Sequence, residues 1–201
     1  MSTDPKTLAV YQDRAEDYAR MFANAKPSSI LNRFIETVPK GARVLDLGCG
    51  PGDSGSLMLQ AGLDVDLVDA SPAMISIARD RHGLPARLAT FDDLDAVAAY
   101  GAVWANFSLL HAPRADLPRY LSAIHRALVP GGYFHIGMKV GDGEHRDALG
   151  RFYTYVSRDE LVALLADAGF GVIFEDHFVE TGLAGSADPG LTLLARTAMN
   201  D

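Results

Sequence analysis

ARVLDLGCGPGDSG, residues 42–55, decides how the rest of the chain is read. Aliphatic Val44 and Leu45 lead into Asp46 and Leu47, and glycine then falls at 48, 50, 52 and 55. A short apolar run that breaks into a Gly-rich turn and then a helix is how an α/β fold opens a nucleotide site. Glycines there let backbone N–H groups approach a ligand where a Cβ would collide. A dinucleotide site wants G-x-G-x-x-G directly after the strand. Counted from Gly48, the third glycine would stand where Asp53 is, whereas a literal match starts two residues later at Gly50, Gly52 and Gly55. Asp53 near a helix N-terminus suits the helix dipole, but its charge would repel a pyrophosphate. That favours a nucleoside without phosphates.

Working outward, short apolar runs alternate with helical patterns. Strands are expected at Arg43–Leu47, Asp64–Asp69, Ala86–Thr90, Ala102–Asn106, Tyr133–Lys139, Gly171–Phe178 and Leu191–Arg196. Helices are expected near Ser54–Ala61, Ala73–Asp80, Asp116–Leu128 and Arg158–Ala168, with a weak turn at Leu94–Tyr100. This alternation implies βαβ units and a parallel sheet. The last two runs are joined by a loop too short for a crossover helix, so they should pair antiparallel as a hairpin. The second strand, DVDLVD, ends at Asp69, where a carboxylate can accept from both ribose hydroxyls. Its competing role as a helix cap is better filled by Ser71, ahead of Pro72.

Upstream, Tyr11, Ala15, Tyr18, Ala19 and Phe22 recur at helical spacing. Lys26-Pro27-Ser28 interrupts that pattern, and Ile30, Leu31, Phe34, Ile35 and Val38 form a second stripe. These two helices form an expected cap, 1–40, on a Rossmann-like core, 41–201, within a single domain of 201 residues. Tyr11 and Tyr18 either face a substrate through this cap or simply pack in the core. MSTDPKTLAV lacks a basic region followed by an apolar one, and no apolar run nears the roughly 18–20 residues that span a bilayer. Neither a signal peptide nor a membrane partner is expected. Cys49, the one cysteine, cannot form an intramolecular disulfide, which fits the cytoplasm. A net charge of −8 argues against a grip on nucleic acid.

VLDLGCGPG, LVDASPAMISIAR, FDDL and LVPGGYF, in this order, resemble the class I S-adenosylmethionine-dependent methyltransferases. VWANFSLLHAPRADLP with GRFYTY also resembles a small bacterial, tellurite-resistance-like subset of them. The resemblance implies a doubly wound seven-stranded α/β sheet of order 3-2-1-4-5-7-6, mostly parallel with an antiparallel C-terminal hairpin strand. It implies S-adenosylmethionine as cofactor, leaving as S-adenosylhomocysteine. Asp46, Gly48 and Gly50 would hold the methionine end, with Asp46 facing the ammonium and Cys49 offering its backbone. Asp69 would grip the ribose, Ala70 and Met74 would pack on adenine, and Phe91 with Asp92 would read the adenine edge. The FDDL carboxylates could equally be the acidic start of a helix. Asn106 opens the fourth motif region, beside the transferred methyl.

Methyl transfer from a sulfonium is an in-line displacement in which the protein aligns the acceptor and, for a weak nucleophile, takes its proton. His111, after the fourth strand, is the candidate base, because an ordinary imidazole titrates near neutrality. Its alternative is a structural histidine bonded to a loop carbonyl. Beyond the fifth strand, Lys139, Arg146, Arg151 and Tyr153 sit on a polar Gly-rich stretch that could bind an anionic group of a small-molecule substrate. Cysteine pairs and His-x₃-His spacings are absent from the sequence, so no metal is expected. The rivals are a nicotinamide-dependent oxidoreductase using Gly50–Gly55 and a non-catalytic binder of the same cofactor. Either a monomer or a homodimer fits.

Overall fold

A computed structural model describes residues 4–22, 28–181, 183–185 and 187–199; the interruption expected at Lys26-Pro27 lies outside them. The chain opens with three helices, α1 (Pro5–Asp13), α2 (Ala15–Phe22) and α3 (Ser29–Thr37). The first expected helix is therefore two, parted at Arg14 by a non-helical backbone (φ −111°). Asp4 caps α1 through Thr7 N (2.8 Å), and Ser28 caps α3 through Leu31 N (3.1 Å).

The central sheet is built from β1 (Arg43–Leu47), β2 (Asp64–Asp69), β3 (Arg87–Leu88), β4 (Tyr100–Asn106), β5 (Leu128–Lys139), β8 (Phe170–Thr181) and β9 (Ala187–Thr197). They lie in the order β3-β2-β1-β4-β5-β9-β8. Strands β3 to β5 in this order run parallel, while β9 is antiparallel to both β5 and β8. Among the seven sheet strands this is 3-2-1-4-5-7-6. β1 lies between β2 and β4, which explains why Val44, Leu45 and Leu47 are at most 3% exposed, with Asp46 the one polar residue among them.

Helices α4 (Asp53–Gln60), α5 (Pro72–His82), α6 (Leu117–Ala127) and α7 (Arg158–Asp167) form the crossovers. α5 starts on a Ser71 cap with Pro72 in its first turn and stops at Gly83, whose φ of +65° a side chain would resist. On α6, Leu117, Tyr120, Leu121, Ile124 and Ala127 form one buried face. Leu117, Leu121 and Ile124 contribute about 1.5–3 kcal/mol each by leaving water.

Further local expectations differ from the structure: β4, β5, β8 and β9 are longer than expected, β5 starting at Leu128. Leu94–Tyr100 is irregular up to Tyr100, which already belongs to β4. β3 is only two residues long because Thr90 turns away, its N–H donating to Asp93 Oδ2 (2.7 Å) at the 3₁₀ turn Phe91–Asp93. The stretch after Lys139 folds back as a ribbon, β6 (Glu144–Arg146) against β7 (Phe152–Thr154).

Candidate functional site

At the carboxyl ends of β1, β2 and β4 the backbone turns tightly, and these turns shape a cleft. Gly48 N and Cys49 N both donate to Val68 O (2.9 Å each), tying the turn after β1 to β2. Gly48 has φ +84°, and a Cβ there would lie 2.4 Å from Ser108 Cβ, while Ser108 Oγ donates to Leu47 O (2.6 Å). A side chain fits neither the backbone nor the space. Gly55 keeps α4 close to β2: its Cβ would lie 2.3 Å from Leu67 Cδ2 and 3.3 Å from Asp46 Oδ2.

Asp69 is built into these turns. Its Oδ2 accepts from Gly50 N (2.9 Å) and its Oδ1 from Ser71 N (2.8 Å). Burial raises its pKa, opposed by those backbone donors. Asp46 lies behind the wall, 2% exposed, and its Oδ2 has no hydrogen-bond partner. Burial, and then the neighbouring charge of Asp69, push its carboxyl up to about 8. A buried carboxylate oxygen left without a donor beside a glycine cradle fits an ammonium-bearing ligand.

The cleft wall comprises Gly48, Gly50, Asp69, Ala70, Met74, Phe91 and Asn106 from the expected cofactor set, with Tyr11, Tyr18 and His111. Asn106 Oδ1 meets His135 Nε2 (3.0 Å); that ring is stacked on Trp104 (3.8 Å) and held neutral, its pKa pushed down to about 3 by burial. Cys49 is buried off the wall, and its thiol is pushed far up by burial. Asp92 is also off the wall, accepting from Arg119 Nη1 (2.5 Å) and Tyr120 Oη (3.1 Å). Thr90 and Phe91 face the cleft at that point instead.

His111 lies on the 3₁₀ turn Leu109–His111, with Nδ1 2.6 Å from Phe152 O. A carbonyl only accepts, so Nδ1 carries the hydrogen and Nε2 presents a lone pair in the neutral ring. Tyr11 Oη donates to that lone pair (2.9 Å) and accepts from Arg151 Nη1 (3.0 Å). Arg151 Nε and Nη2 both donate to Asp147 Oδ2 (2.9 and 2.7 Å). Burial first, with the Arg151 charge also contributing, brings the His111 pKa down to about 4.

Lys139, Arg146, Arg151 and Tyr153 are not on the cleft wall. Lys139 pairs with Asp188 over the Tyr153 ring (4.2 Å), and Arg146 pairs with Asp4 (2.7 Å). Thr7, Leu8, Phe107 and Ser108 line the cleft without having been singled out by the sequence. Thr7 and Leu8 carry no signal there beyond their helical position. Phe107 has φ +55°, a strained conformation no residue pattern announces. Among the described residues, no group of three or more His, Cys, Asp or Glu could hold a metal ion. No helix there is long and apolar enough to cross a membrane.

Residues 44–132 match a family model described as a methyltransferase domain. The chain is 26% identical over 166 residues to hemagglutinin 1 of Eikenella corrodens, covering 80% of this chain and 54% of that protein. It is 36% identical over 100 residues to a ubiquinone biosynthesis O-methyltransferase of Xanthomonas oryzae pv. oryzae, covering 46% of this chain and 41% of that protein. The chain thus spans about half the length, or less, of these curated relatives. Burkholderia thailandensis 1,6-didemethyltoxoflavin-N1-methyltransferase, solved with 1,6-didemethyltoxoflavin and S-adenosylhomocysteine, superposes with a TM-score of 0.76 at 23% identity, covering 96% of this chain and 88% of that one. The methyltransferase-domain match covers residues 44–132, from β1 into β5, and nearly the whole chain shares the fold of that solved methyltransferase.

Proposed function

We propose that the chain transfers the methyl group of S-adenosylmethionine to a small-molecule acceptor held under an N-terminal helical cap. The supporting observation is one cleft lined by Gly48, Gly50, Asp69, Met74, Phe91 and Asn106 together with Tyr11 and His111. When bound, the cofactor supplies an electrophilic methyl on a positive sulfur. The chain has to hold, align and, for a weak nucleophile, accept a proton. Asp69 would receive the ribose hydroxyls on its remaining lone pairs, Ala70, Met74 and Phe91 would sandwich adenine, and Asp46 would face the ammonium. Helices α1 and α2 exclude water from above: Ala15, Ala19, Tyr11 and Tyr18 pack with Met74 and Ile77, and Gln12 Oε1 accepts from Ala73 N (3.1 Å). A cytoplasmic setting suits Cys49, a buried thiol.

Calorimetry with S-adenosylhomocysteine and NAD, followed by transfer of labelled methyl from S-adenosylmethionine into a metabolite extract, tests this reading. Binding of the homocysteine nucleoside and label in a small molecule are expected. NAD binding in its place restores the oxidoreductase reading, and binding without any transfer leaves a cofactor-binding protein.

A further inference from the structure

The charge of the acceptor can be read from how the cleft's polar groups are already committed. The wall contains no Lys or Arg among the described residues, and its only carboxylate is Asp69. The cations flanking it are each neutralised within the protein: Arg151 by Asp147, with both side chains at most 6% exposed, Arg146 by Asp4, and Lys139 by Asp188. Two wall hydroxyls that could donate to an anion are also occupied. Thr7 Oγ1 donates to Asp4 Oδ1 (2.8 Å) and Ser108 Oγ to Leu47 O (2.6 Å). A carboxylate entering this space would lose its hydration and find no cationic side chain among the described wall residues.

The opposite holds for a donor. Phe152 O fixes His111 with its hydrogen on Nδ1, so Nε2 offers a lone pair, and the depressed imidazole pKa keeps the ring neutral. That lone pair is satisfied by the hydroxyl of Tyr11, a residue of α1. Leu8 from the same helix and Phe107 supply apolar surface beside it.

Resting on the methyltransferase reading above, we infer that the acceptor is an uncharged molecule bearing an O–H or N–H, which takes the place of the Tyr11 hydroxyl as donor to His111 Nε2, and that carboxylate-bearing acceptors are excluded.

The test uses the full chain saturated with S-adenosylhomocysteine and matched probes observed by saturation-transfer NMR: catechol against protocatechuate, and indole against indole carboxylate. The neutral member of at least one pair should bind at millimolar concentration, with its acidic partner at least about tenfold weaker. His111→Phe, which keeps an aromatic ring but removes the lone pair, should weaken the neutral probe about tenfold while sparing S-adenosylhomocysteine. Should that variant fail to fold, Leu8→Lys places a cation on the wall and should strengthen the acidic probes by a similar factor. Equal or tighter binding of the acidic members, no binding of either neutral probe, or no response to these substitutions overturns the inference and leaves the methyltransferase reading standing. Failure of S-adenosylhomocysteine itself to bind removes both.

Discussion

Replacing Asp46 by asparagine changes the charge of a buried group and almost nothing of its volume, so its effect on stability can be worked from the site. An aspartate titrates near 4 in an unfolded chain, whereas burial and the charge of Asp69 bring Asp46 to about 8 in the fold. Between those values the folded state keeps a proton that the unfolded state has released, so stability falls as pH rises from about 4 and levels off above about 8. Each unit is worth about 1.4 kcal/mol, which puts the penalty on the order of 4 kcal/mol at neutral pH. The asparagine side chain would carry no such slope, although an unpaired buried amide costs about 1–3 kcal/mol at any pH. The variant should therefore be the more stable protein at pH 8 and the less stable one near pH 4. Urea unfolding of both proteins across that range measures the difference directly. Its affinity for S-adenosylhomocysteine should fall by about tenfold or more, since hydrogen bonds to charged groups are worth about 1.5–3 kcal/mol. Parallel stability curves would refute the assignment of a raised pKa, and unchanged affinity would take Asp46 out of the ammonium site.

Gly48→Ala should lose about 2–4 kcal/mol, from a positive φ and from a Cβ placed 2.4 Å from Ser108 Cβ; wild-type unfolding midpoints would contradict the crowding seen there. Tyr11→Phe removes the hydroxyl between Arg151 and His111 and leaves a buried Arg N–H without that acceptor. It should lower stability by about 1–3 kcal/mol, read by thermal melts, and an unaltered melt would mean the hydroxyl is not seated between them. His111, neutral down to about 4, should give a pH–rate profile without an acid limb near 6.5 once an acceptor is in hand, and a limb at that value would show an ordinary, solvated imidazole.

The floor of the cleft was legible because its geometry is local. Gly48, Gly50 and Asp69 sit where one strand ends and a helix begins, and a strand-to-helix turn with glycines constrains the backbone whatever the rest of the chain does. The roof was not legible to the same degree. Tyr11 meets His111 across a hundred residues of sequence, and Asp4 meets Arg146 across a longer span. Nothing in a helical stripe says which distant turn it will cover. The charges after Lys139 read as an open anion-binding loop because a sequence shows cations and not the carboxylates they meet. Asp147 and Asp188 are the residues that close that reading, and only the β6–β7 ribbon and the β9 strand bring them into place.

The electrostatics of the two halves point the same way. Asp46 is buried and Asp69 half-buried, and both have pKa values raised mainly by loss of hydration, so the fold bears the cost of keeping carboxyl groups from water without a cationic side chain beside them among the described residues. A positive ligand relieves that cost, and a neutral one does so less. Across the cleft, Arg151 is neutralised by Asp147 and His111 is uncharged, so the roof adds no field to oppose the floor. Such a wall lowers the energy of a positive charge on whichever bound atom carries it. A neutral acceptor keeps that charge within the site as the methyl moves, until the proton leaves by way of a lone pair such as His111 Nε2. An anionic acceptor would cancel that charge at the reacting centre. The preference for an uncharged O–H or N–H acceptor thus follows from the floor as well as from the roof, and the Asp46→Asn variant should weaken it from the side that never touches the acceptor. Above about pH 8, where Asp46 is ionised in the fold, the variant's margin between catechol and protocatechuate should be narrower, by less than the roughly tenfold separation set by the wall itself. A margin that widens would show that the floor carboxylates do not act on the acceptor's charge.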